Sequence, residues 1–296
     1  MRSTLLLAAP LLLASCAALP GTSGDQVLDA AGAPVALEAM VSELAAADVV
    51  FLGEEHDSDG VHALQLEVLR ALHAARGGAV VLSMEMFERD AQGSLDLYLD
   101  GGLTEEEFLA RTRPWPNYAE HYRGAIEFAK AEGIPVLAGN AKRALASRVS
   151  REGTAAAQGD PWGPRQVIPM GGRYEELFME VMSQMAGHGQ AMPTARMRRF
   201  FEAQCYKDEA MAEAITDHLA AVAPERPLVV HWCGRFHSDF GLGTVERVAR
   251  RRPDLELAVV SGRKRANGDY DSEGDAGRGD FLWITHDFLN TCAPVW

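Results

Sequence analysis

Short apolar runs rich in β-branched residues alternate along this chain with longer segments of helical periodicity. Each run ends in polar or glycine-containing residues, as buried strands do, and the segments between them repeat apolar residues every three to four positions. This alternation predicts an α/β fold with a mainly parallel central sheet covered by helices on both faces. The predicted strands lie at 49–52, 80–84, 134–138, 228–232 and 255–260, a last apolar stretch follows at 281–285, and the clearest predicted helices lie at 62–75, 118–131 and 200–221.

Two regions interrupt the alternation. Residues 151–173 are rich in Gly and Pro and are predicted to form a long loop, and residues 263–279 are polar and glycine-rich. Between the first of these and the helix at 200 lies a methionine-rich stretch, in which Phe178, Met182 and Met185 would share one face of a helix. We therefore expect a helical Met-rich insertion with an adaptable apolar surface that covers the core or a partner.

The first residues have the features of an export signal. A single positive charge at Arg2 precedes an apolar run at 5–13, which is too short to cross the ~30 Å core of a bilayer as a helix. Leu13-Ala14-Ser15-Cys16 resembles the lipobox of bacterial lipoproteins, in which the cysteine becomes the lipidated N-terminus. An ordinary signal peptide is the alternative.

The lipobox divides the chain into three parts. Residues 1–15 are predicted to be a lipoprotein signal peptide, residues 16–26 the lipidated Cys16 and its tether, and residues 27–296 one α/β domain. Acyl chains on Cys16 would anchor the protein to a membrane. Ala17 follows the cysteine. By resemblance to Gram-negative sorting signals, a residue of this kind at this position indicates the outer membrane, with the domain facing the periplasm of the cell envelope.

Charge and cysteine content exclude several classes of protein. The formal net charge is −14 and no long basic block occurs in the mature chain, so we expect no nucleic-acid partner. After Cys16 the cysteines are Cys205, Cys233 and Cys292, whose wide spacing fits neither a disulfide framework nor a cysteine-based zinc site. With 47% apolar residues, the chain can build a sizeable hydrophobic core.

The pattern G-x-x-H follows a predicted strand twice. The strand at 49–52 runs into Gly53-Glu54-Glu55-His56, and the strand at 228–232 runs, after Cys233, into Gly234-Arg235-Phe236-His237. In each case glycine permits a tight turn and a histidine stands at the carboxyl end of a strand. Ligands of open α/β sheets bind at this edge.

Two further strands bring polar groups to the same edge. Glu85 ends the strand at 80–84, and the strand at 134–138 is followed by Asn140, Lys142 and Arg143. If these strands are neighbours, His56, Glu85 and His237 converge. Two imidazoles and a carboxylate suit a divalent transition metal, and Glu54 or Glu55 would act as a base on bound water. His62 either faces this pocket or caps its helix.

Several segments that contain these residues resemble a known family. They are VVFLGEEHDSDGVHALQLEVLRAL, LSMEMFERDAQGSLDLYLDG, HYRGAIEFAKAEGIPVLAGNAKRALASRV, AQCYKDEAMAEAI and CGRFHSDFGLG. In this order, over residues 49–248 and behind a lipobox, they resemble the ChaN-like haem-binding uptake lipoproteins of the Tiki superfamily, which also includes TraB-type and erythromycin-esterase-like proteins. The chain departs from the pattern at Trp232-Cys233, where the family more often has a small residue and Gly, and at 159–194.

The resemblance implies a haem-binding lipoprotein of haem or iron uptake, with haem b held between the two subunits of a homodimer. A tyrosinate of one subunit would bind the iron, and imidazole or basic side chains of the other would hold the propionates. His56, Glu85 and His237 match positions shared by the superfamily. The candidate ligand of the iron is Tyr122 or Tyr174. The other candidate haem-binding residues are His56, His62, Lys142 and Arg143.

A phenolate ligand needs a cation or donor nearby to lower its pKa from about 10. Arg123 beside Tyr122 and Arg173 beside Tyr174 are the candidates.

Three interpretations remain open at this point. The chain is a haem carrier, or a metal-dependent hydrolase of the wider superfamily that uses the two G-x-x-H motifs, or a protein in which these residues are structural. In the last case Glu85 would pair with an arginine, and the histidines would be hydrogen-bonded in the core.

Overall fold

The computed structural model describes residues 25–168, 171–185, 193–265 and 269–286. The predicted signal peptide, Cys16 and Cys292 lie outside the described residues. No helix in the described part of the chain is long and apolar enough to cross a membrane.

Seven strands form one sheet in the order β1-β7-β6-β2-β5-β3-β4. The pair β1–β7 is antiparallel and all the other pairs are parallel. The mainly parallel sheet predicted from the sequence is therefore confirmed. The strands are β1 Gln26–Asp29, β2 Val49–Glu54, β3 Val80–Glu88, β4 Val136–Asn140, β5 Leu228–Gly234, β6 Leu257–Lys264 and β7 Phe281–Thr285.

Helices connect the parallel strands and cover both faces of the sheet, as the alternating pattern predicts. They are α1 Leu37–Leu44, α2 Asp59–Ala75, α3 Gln92–Leu99, α4 Glu105–Thr112, α5 Arg123–Glu132, α6 Arg143–Glu152, α7 Arg173–Met185, α8 Thr194–Ala221 and α9 Thr244–Arg251.

The alternation of side chains along β2 shows how the core divides. Val50 and Leu52 belong to a large apolar cluster shared with α1 to α5, whereas Val49 and Phe51 belong to a second cluster with α8 and α9 on the opposite face. Successive strand residues point to opposite faces, so a strand covered on both sides is apolar at every position. This is why the parallel strands read as continuous apolar runs.

Several elements differ from the sequence-based expectation. Strands β4 and β6 each begin two residues later than predicted, and three differences are larger. Strand β1 was not predicted, because it contributes only Val27 and Leu28 to the core. Helix α8 begins at Thr194, six residues before the predicted start. The helix predicted from 118 begins instead with a π-helical turn, Tyr118–Tyr122, before α5. Insertions of this kind are frequent at functional sites.

The described part of the predicted Met-rich insertion before residue 186 contains helix α7, which packs against the domain. Phe178 and Met182 join Tyr174 and Phe201 in a small apolar cluster, with Phe236 from the loop after β5 packed against it. The predicted shared face is confirmed for Phe178 and Met182, and the side chain of Met185 lies outside the described residues.

Candidate functional site

Strand order brings the two G-x-x-H motifs and Glu85 to one place. Strand β5 lies between β2 and β3 and is parallel to both, with Glu54 paired to Gly234 in register. Parallel strands end at the same edge of a sheet. His56, Glu85 and His237 therefore meet at the carboxyl ends of three adjacent strands, as the sequence predicted.

Glu54 is the buried centre of the first half of this site. Its Oε1 accepts hydrogen bonds from Nδ1 of His56 at 2.8 Å and from the Tyr122 hydroxyl at 2.6 Å, and its Oε2 accepts one from Gln65 at 2.9 Å. Burial alone would raise the pKa of Glu54, but the hydrogen bond from His56 and the nearby His62 and His56 imidazoles outweigh it and lower the pKa. Glu54 is a fixed carboxylate and a poor proton acceptor.

The second ring nitrogen of His56 has no hydrogen-bond partner among the described residues. Because Nδ1 is bonded to Glu54, Nε2 carries the free lone pair, and half of the side chain is exposed. The ring lies against Gly234, where an added Cβ would be 2.8 Å from Cε1 and 2.9 Å from Nε2. Burial lowers the pKa of His56, but the hydrogen bond to Glu54 and the charges of Glu85 and Glu54 outweigh it and raise the pKa.

The loop between α4 and α5 forms a wall beside His56. The Trp115 ring meets the His56 ring edge-on at 4.8 Å between centroids, and Asn117 donates a hydrogen bond to the His56 carbonyl at 2.9 Å. The imidazole is thus restrained by a carboxylate, an indole and a glycine surface, and its backbone is held by an amide.

His62 lies in the layer behind Glu54. It stacks on His121 at 4.0 Å, its Nδ1 contacts Gln65 at 3.0 Å, and its side chain is 3% exposed. Burial and the charge of His121 lower the pKa of His62 in spite of Glu54. The alternative of a helix cap is wrong, because Ser58 is the N-cap of α2.

A second imidazole, His237, lies between two buried carboxylates. Its Nδ1 is 2.6 Å from Asp208 and its Nε2 is 3.3 Å from Glu85. Burial lowers the pKa of His237, but the charges of Glu85 and Asp208 outweigh it and raise the pKa to about 9. At neutral pH, His237, Glu85 and Asp208 therefore form a buried group of one imidazolium and two carboxylates.

Glu85 is also fully engaged. It accepts the Gly234 amide at 2.8 Å, and Lys207 approaches it at 4.0 Å. Burial alone would raise the pKa of Glu85, but His237 and Lys207 hold it well below its usual range. Its partners are thus a histidine and a lysine instead of the arginine considered from the sequence.

The predicted metal ligands meet as an ion-paired network. Within the described residues, no group of three or more His, Cys, Asp or Glu side chains is arranged to hold a metal ion. Both ring nitrogens of His237 face carboxylates, and Glu85 faces His237, so these side chains are ion-paired with one another.

Both candidate tyrosines are buried and donate to carboxylates. Tyr122 is 0% exposed and donates to Glu54; Tyr174 is 2% exposed and donates to Asp208 at 2.8 Å. Burial and the neighbouring carboxylate raise the pKa of both phenols. The expected lowering of the pKa is therefore wrong.

The arginines proposed to cause that lowering have other partners. Arg123 binds Glu105, with 2.9 Å between Nη2 and Oε2. Arg173 lies 3.8 Å from Glu176.

The remaining predicted residues lie in two other ion-paired groups. Lys142 contacts Asp90 at 3.0 Å and Arg143 approaches Glu88 at 4.0 Å, both beyond the ends of β3 and β4. Glu55, the second candidate base, contacts Arg235 at 3.0 Å. The side chains of Lys142 and Arg143 are 37% and 74% exposed, so they stay available to an anionic ligand.

Sequence reasoning missed three residues that shape the site, Asp208, Gln65 and Trp115. Asp208 lies on α8, far along the chain from Glu85, and pairs with His237 only because α8 crosses the strand ends. A signal exists for it, since a charged residue at a buried position of a helix needs a partner. Trp115 lies between two prolines in a loop whose position the sequence does not indicate.

A parallel sheet whose carboxyl edge carries two carboxylate-held imidazoles defines an α/β protein with a ligand site at the strand ends. A family model described as haem-binding uptake, Tiki superfamily, ChaN, matches residues 40–248. This chain belongs to that family. No curated protein matches the chain.

Solved structures with a similar fold include ChaN of Campylobacter jejuni with cofacially bound haem, at a TM-score of 0.68 and 17% identity, covering 90% of this chain and 99% of that one. At this level of identity the likeness establishes the fold. A type III effector follows at a TM-score of 0.47 and 14% identity, covering 84% of this chain and 92% of the effector. An erythromycin esterase in its open conformation has a TM-score of 0.44 and 11% identity, covering 76% of this chain and 72% of the esterase.

Proposed function

We propose that this protein is a lipid-anchored haem-binding protein of the cell envelope that works in haem or iron uptake. The observation that carries the proposal is membership in the haem-binding uptake family over residues 40–248. That segment includes the whole strand-end site, from Glu54 and His56 to His237.

The chemistry of the site fits a haem as cargo. A half-exposed imidazole with a free Nε2 stands beside the Trp115 ring, and Lys207, Lys142 and Arg143 supply cations at the same edge of the sheet. An aromatic wall and an imidazole suit a porphyrin and its iron, and ammonium or guanidinium groups suit its propionates.

The openness of the site supports a homodimer. A planar ligand on His56 would keep one face in water, because half of this side chain is exposed in a single copy. A second copy would cover that face and bury the apolar porphyrin. The cofacial haems named for the Campylobacter protein fit such an arrangement.

Anchoring through Cys16 is the sequence-based part of the proposal. A lipid on Cys16 would lie at the end of the tether, with the domain facing the periplasm from the outer membrane. A Cys16→Ala variant expressed in a Gram-negative host is expected to leave the membrane fraction. Retention of that variant in the membrane would contradict lipid anchoring.

Titration with haemin tests the binding function. The processed full-length protein is expected to give a saturable Soret shift with haem b. A spectrum that remains the sum of protein and free haemin at every ratio would overturn the proposal.

The Glu54–His56 pair favours hydrolysis as a second candidate function. A carboxylate that holds Nδ1–H of a histidine leaves Nε2 to take a proton from water, which then attacks an electrophilic carbonyl. The base would be His56 and not Glu54 or Glu55, because Glu54 is buried with three donors and Glu55 is paired with Arg235.

The hydrolase is tested with a panel of esters and by elemental analysis of the isolated protein. Turnover that is lost in His56→Ala would support this second function. A divalent transition metal present at near-stoichiometric amounts, and lost in His56→Ala and His237→Ala, would support its metal-dependent form. Absence of turnover across the panel, together with saturable haemin binding, would exclude it in favour of the carrier.

A further inference from the structure

We propose that Nε2 of His56, and not a tyrosinate, binds the haem iron in this protein. This inference rests on the proposed haem-binding function and assigns its iron ligand. The basis of the inference is a comparison of the side chains at the strand ends, to find those that have an unbonded atom able to bind iron.

No phenol near the site offers such an atom. The hydroxyls of Tyr122 and Tyr174 are buried and donate to Glu54 and Asp208, respectively. To reach an exposed ligand, either tyrosine would have to leave the core and expose a buried carboxylate. The chain has six tyrosines, and Tyr98, Tyr118 and Tyr206 are also at most 4% exposed.

The sixth tyrosine lies elsewhere. Tyr270 packs against Leu28, Leu282 and Ile284 on the edge strands β1 and β7. Three strand positions separate β7 and β5 in the sheet, so Tyr270 is remote from the ends of β5 and β3.

Of the imidazoles around the site in the described residues, His56 is the one that has both an exposed side chain and an unbonded nitrogen, because Nε2 of His231 also lacks a partner but His231 is 0% exposed. His237 has both nitrogens at carboxylates, His62 contacts Gln65 and the His56 carbonyl, and His121 contacts Asn117 and Asp59. In the described part of the chain, the only hydrogen bond of the His56 ring is that from Nδ1 to Glu54.

The Glu54 contact prepares His56 for a metal. Histidines that bind metals almost always donate their second N–H to a carboxylate, a carbonyl or water, which fixes the tautomer and makes the ligating nitrogen more basic. Glu54 does this from a fully buried position at 2.8 Å. Trp115 and the flat surface of Gly234 hold the ring, so Glu54 is a positioning residue and His56 the ligand.

The test compares haemin binding by the full-length protein with that of ligand, control and positioning variants. The variants are His56→Ala, His56→Tyr, Tyr122→Phe, Tyr174→Phe, Glu54→Gln and the control His73→Ala, whose histidine lies in the last turn of α2, away from the strand ends. The readouts are affinity, the absorption spectrum and the iron–ligand stretching band of the ferrous complex by resonance Raman.

We expect His56→Ala to weaken haemin binding by at least about tenfold and to recover part of it when imidazole is added. His56→Tyr is expected to keep haem and to acquire a phenolate-to-iron charge-transfer band. Glu54→Gln is expected to lower the iron–histidine stretching frequency and to weaken binding by about 10- to 100-fold. Tyr122→Phe and Tyr174→Phe, which remove donors to Glu54 and Asp208, are expected to keep the iron–histidine band, and the control His73→Ala is expected to keep the wild-type affinity and spectrum.

Two outcomes separate the failure of this inference from that of the function. If the wild-type protein binds haemin but Tyr122→Phe or Tyr174→Phe removes its spectrum and His56→Ala keeps it, the histidine ligand is wrong and haem binding stands. If the wild-type protein shows no saturable binding, the proposed function fails and the ligand assignment fails with it. Rescue by imidazole excludes misfolding as the cause of loss in His56→Ala.

Discussion

Buried carboxylates hold both imidazoles of the strand-end site, but with different results. Glu54 uses one oxygen to fix Nδ1 of His56, and Nε2 has no hydrogen-bond partner among the described residues, whereas Asp208 and Glu85 engage both nitrogens of His237. A buried imidazolium between two carboxylates is an ion-paired structural group. An imidazole with one free nitrogen is available to a ligand. Two copies of one sequence motif therefore serve different purposes.

Asp208 is expected to be essential to stability. It accepts hydrogen bonds from His237, Tyr174 and Thr244, all of them buried, so Asp208→Ala would leave three buried donors without their acceptor and the imidazolium with only Glu85. We expect a loss of about 3–5 kcal/mol in the free energy of unfolding, measured by urea denaturation. Asp217→Ala is the matched control on the same helix, because its pair with Arg165 is exposed and is worth about 0–1 kcal/mol. Equal effects of the two changes would contradict the structural role of Asp208.

The His237 imidazolium is expected to make stability depend on alkaline pH. The pKa of His237 is about 9 in the folded protein, against about 6.5 for an ordinary histidine. The raised pKa means that this contribution is fully present below about pH 6.5 and is lost as the pH rises through about 9. The difference in unfolding free energy between wild type and His237→Gln should therefore shrink between about pH 6 and about pH 10. A difference that grows with pH would contradict the ion-paired imidazolium.

Gly234 is expected to be required because of its contact with His56. Its backbone, at φ −55 and ψ 132, is open to any residue, so the requirement is one of space. A Cβ at this position would lie 2.8 Å from the His56 ring, and Gly234→Ala must therefore displace the imidazole. We expect weaker haemin binding, measured by titration. Gly93→Ala on α3, where an added Cβ meets nothing within 4 Å, should leave binding unchanged, and an equal loss in both variants would argue against a local effect.

At the scale of elements, strands β2, β5 and β3 bring the site together and α8 completes it. Asp208 and Lys207 reach Glu85 and His237 from this helix, and the π-helical turn before α5 brings Tyr122 to Glu54. Sequence patterns predicted these three strands and most of α8. The pairing between them could not be predicted, because hydrogen bonds between distant segments leave no periodic signal in either segment.

Helix α7 is expected to depend on one aromatic side chain. Phe178 packs against Phe201 at 5.4 Å and Phe236 at 6.0 Å between ring centroids, so α7 is tied both to α8 and to the loop that carries His237. If α7 unfolds together with the domain, Phe178→Ala should lower the free energy of unfolding by about 3–5 kcal/mol. Val181→Ala, at a position 39% exposed on the same helix, should change little.

Hydrogen exchange distinguishes local from global loss of α7. Faster exchange confined to α7 in Phe178→Ala, with unchanged exchange in β2 and β5, would show that α7 opens by itself and would contradict the global cost.

At the scale of the whole molecule, the open edge of the sheet suggests assembly on the ligand. With His56 half exposed, haem bound to one copy would present an apolar face to a second. We expect haemin to shift the full-length protein from monomer to dimer in sedimentation velocity, and His56→Ala to reduce that shift. An oligomeric state independent of haemin would contradict this prediction.

From the sequence alone one can determine the α/β class, the parallel sheet, the four strand ends with polar residues and the family. These features depend on local periodicity and short motifs, which are properties of neighbouring residues. Only the tertiary structure decides that Tyr122 and Tyr174 are buried donors, that His237 is an ion-paired structural group and that His56 keeps a free nitrogen. The reason is that a side chain's partners, burial and pKa are set by residues far away in the chain, such as Asp208 for His237.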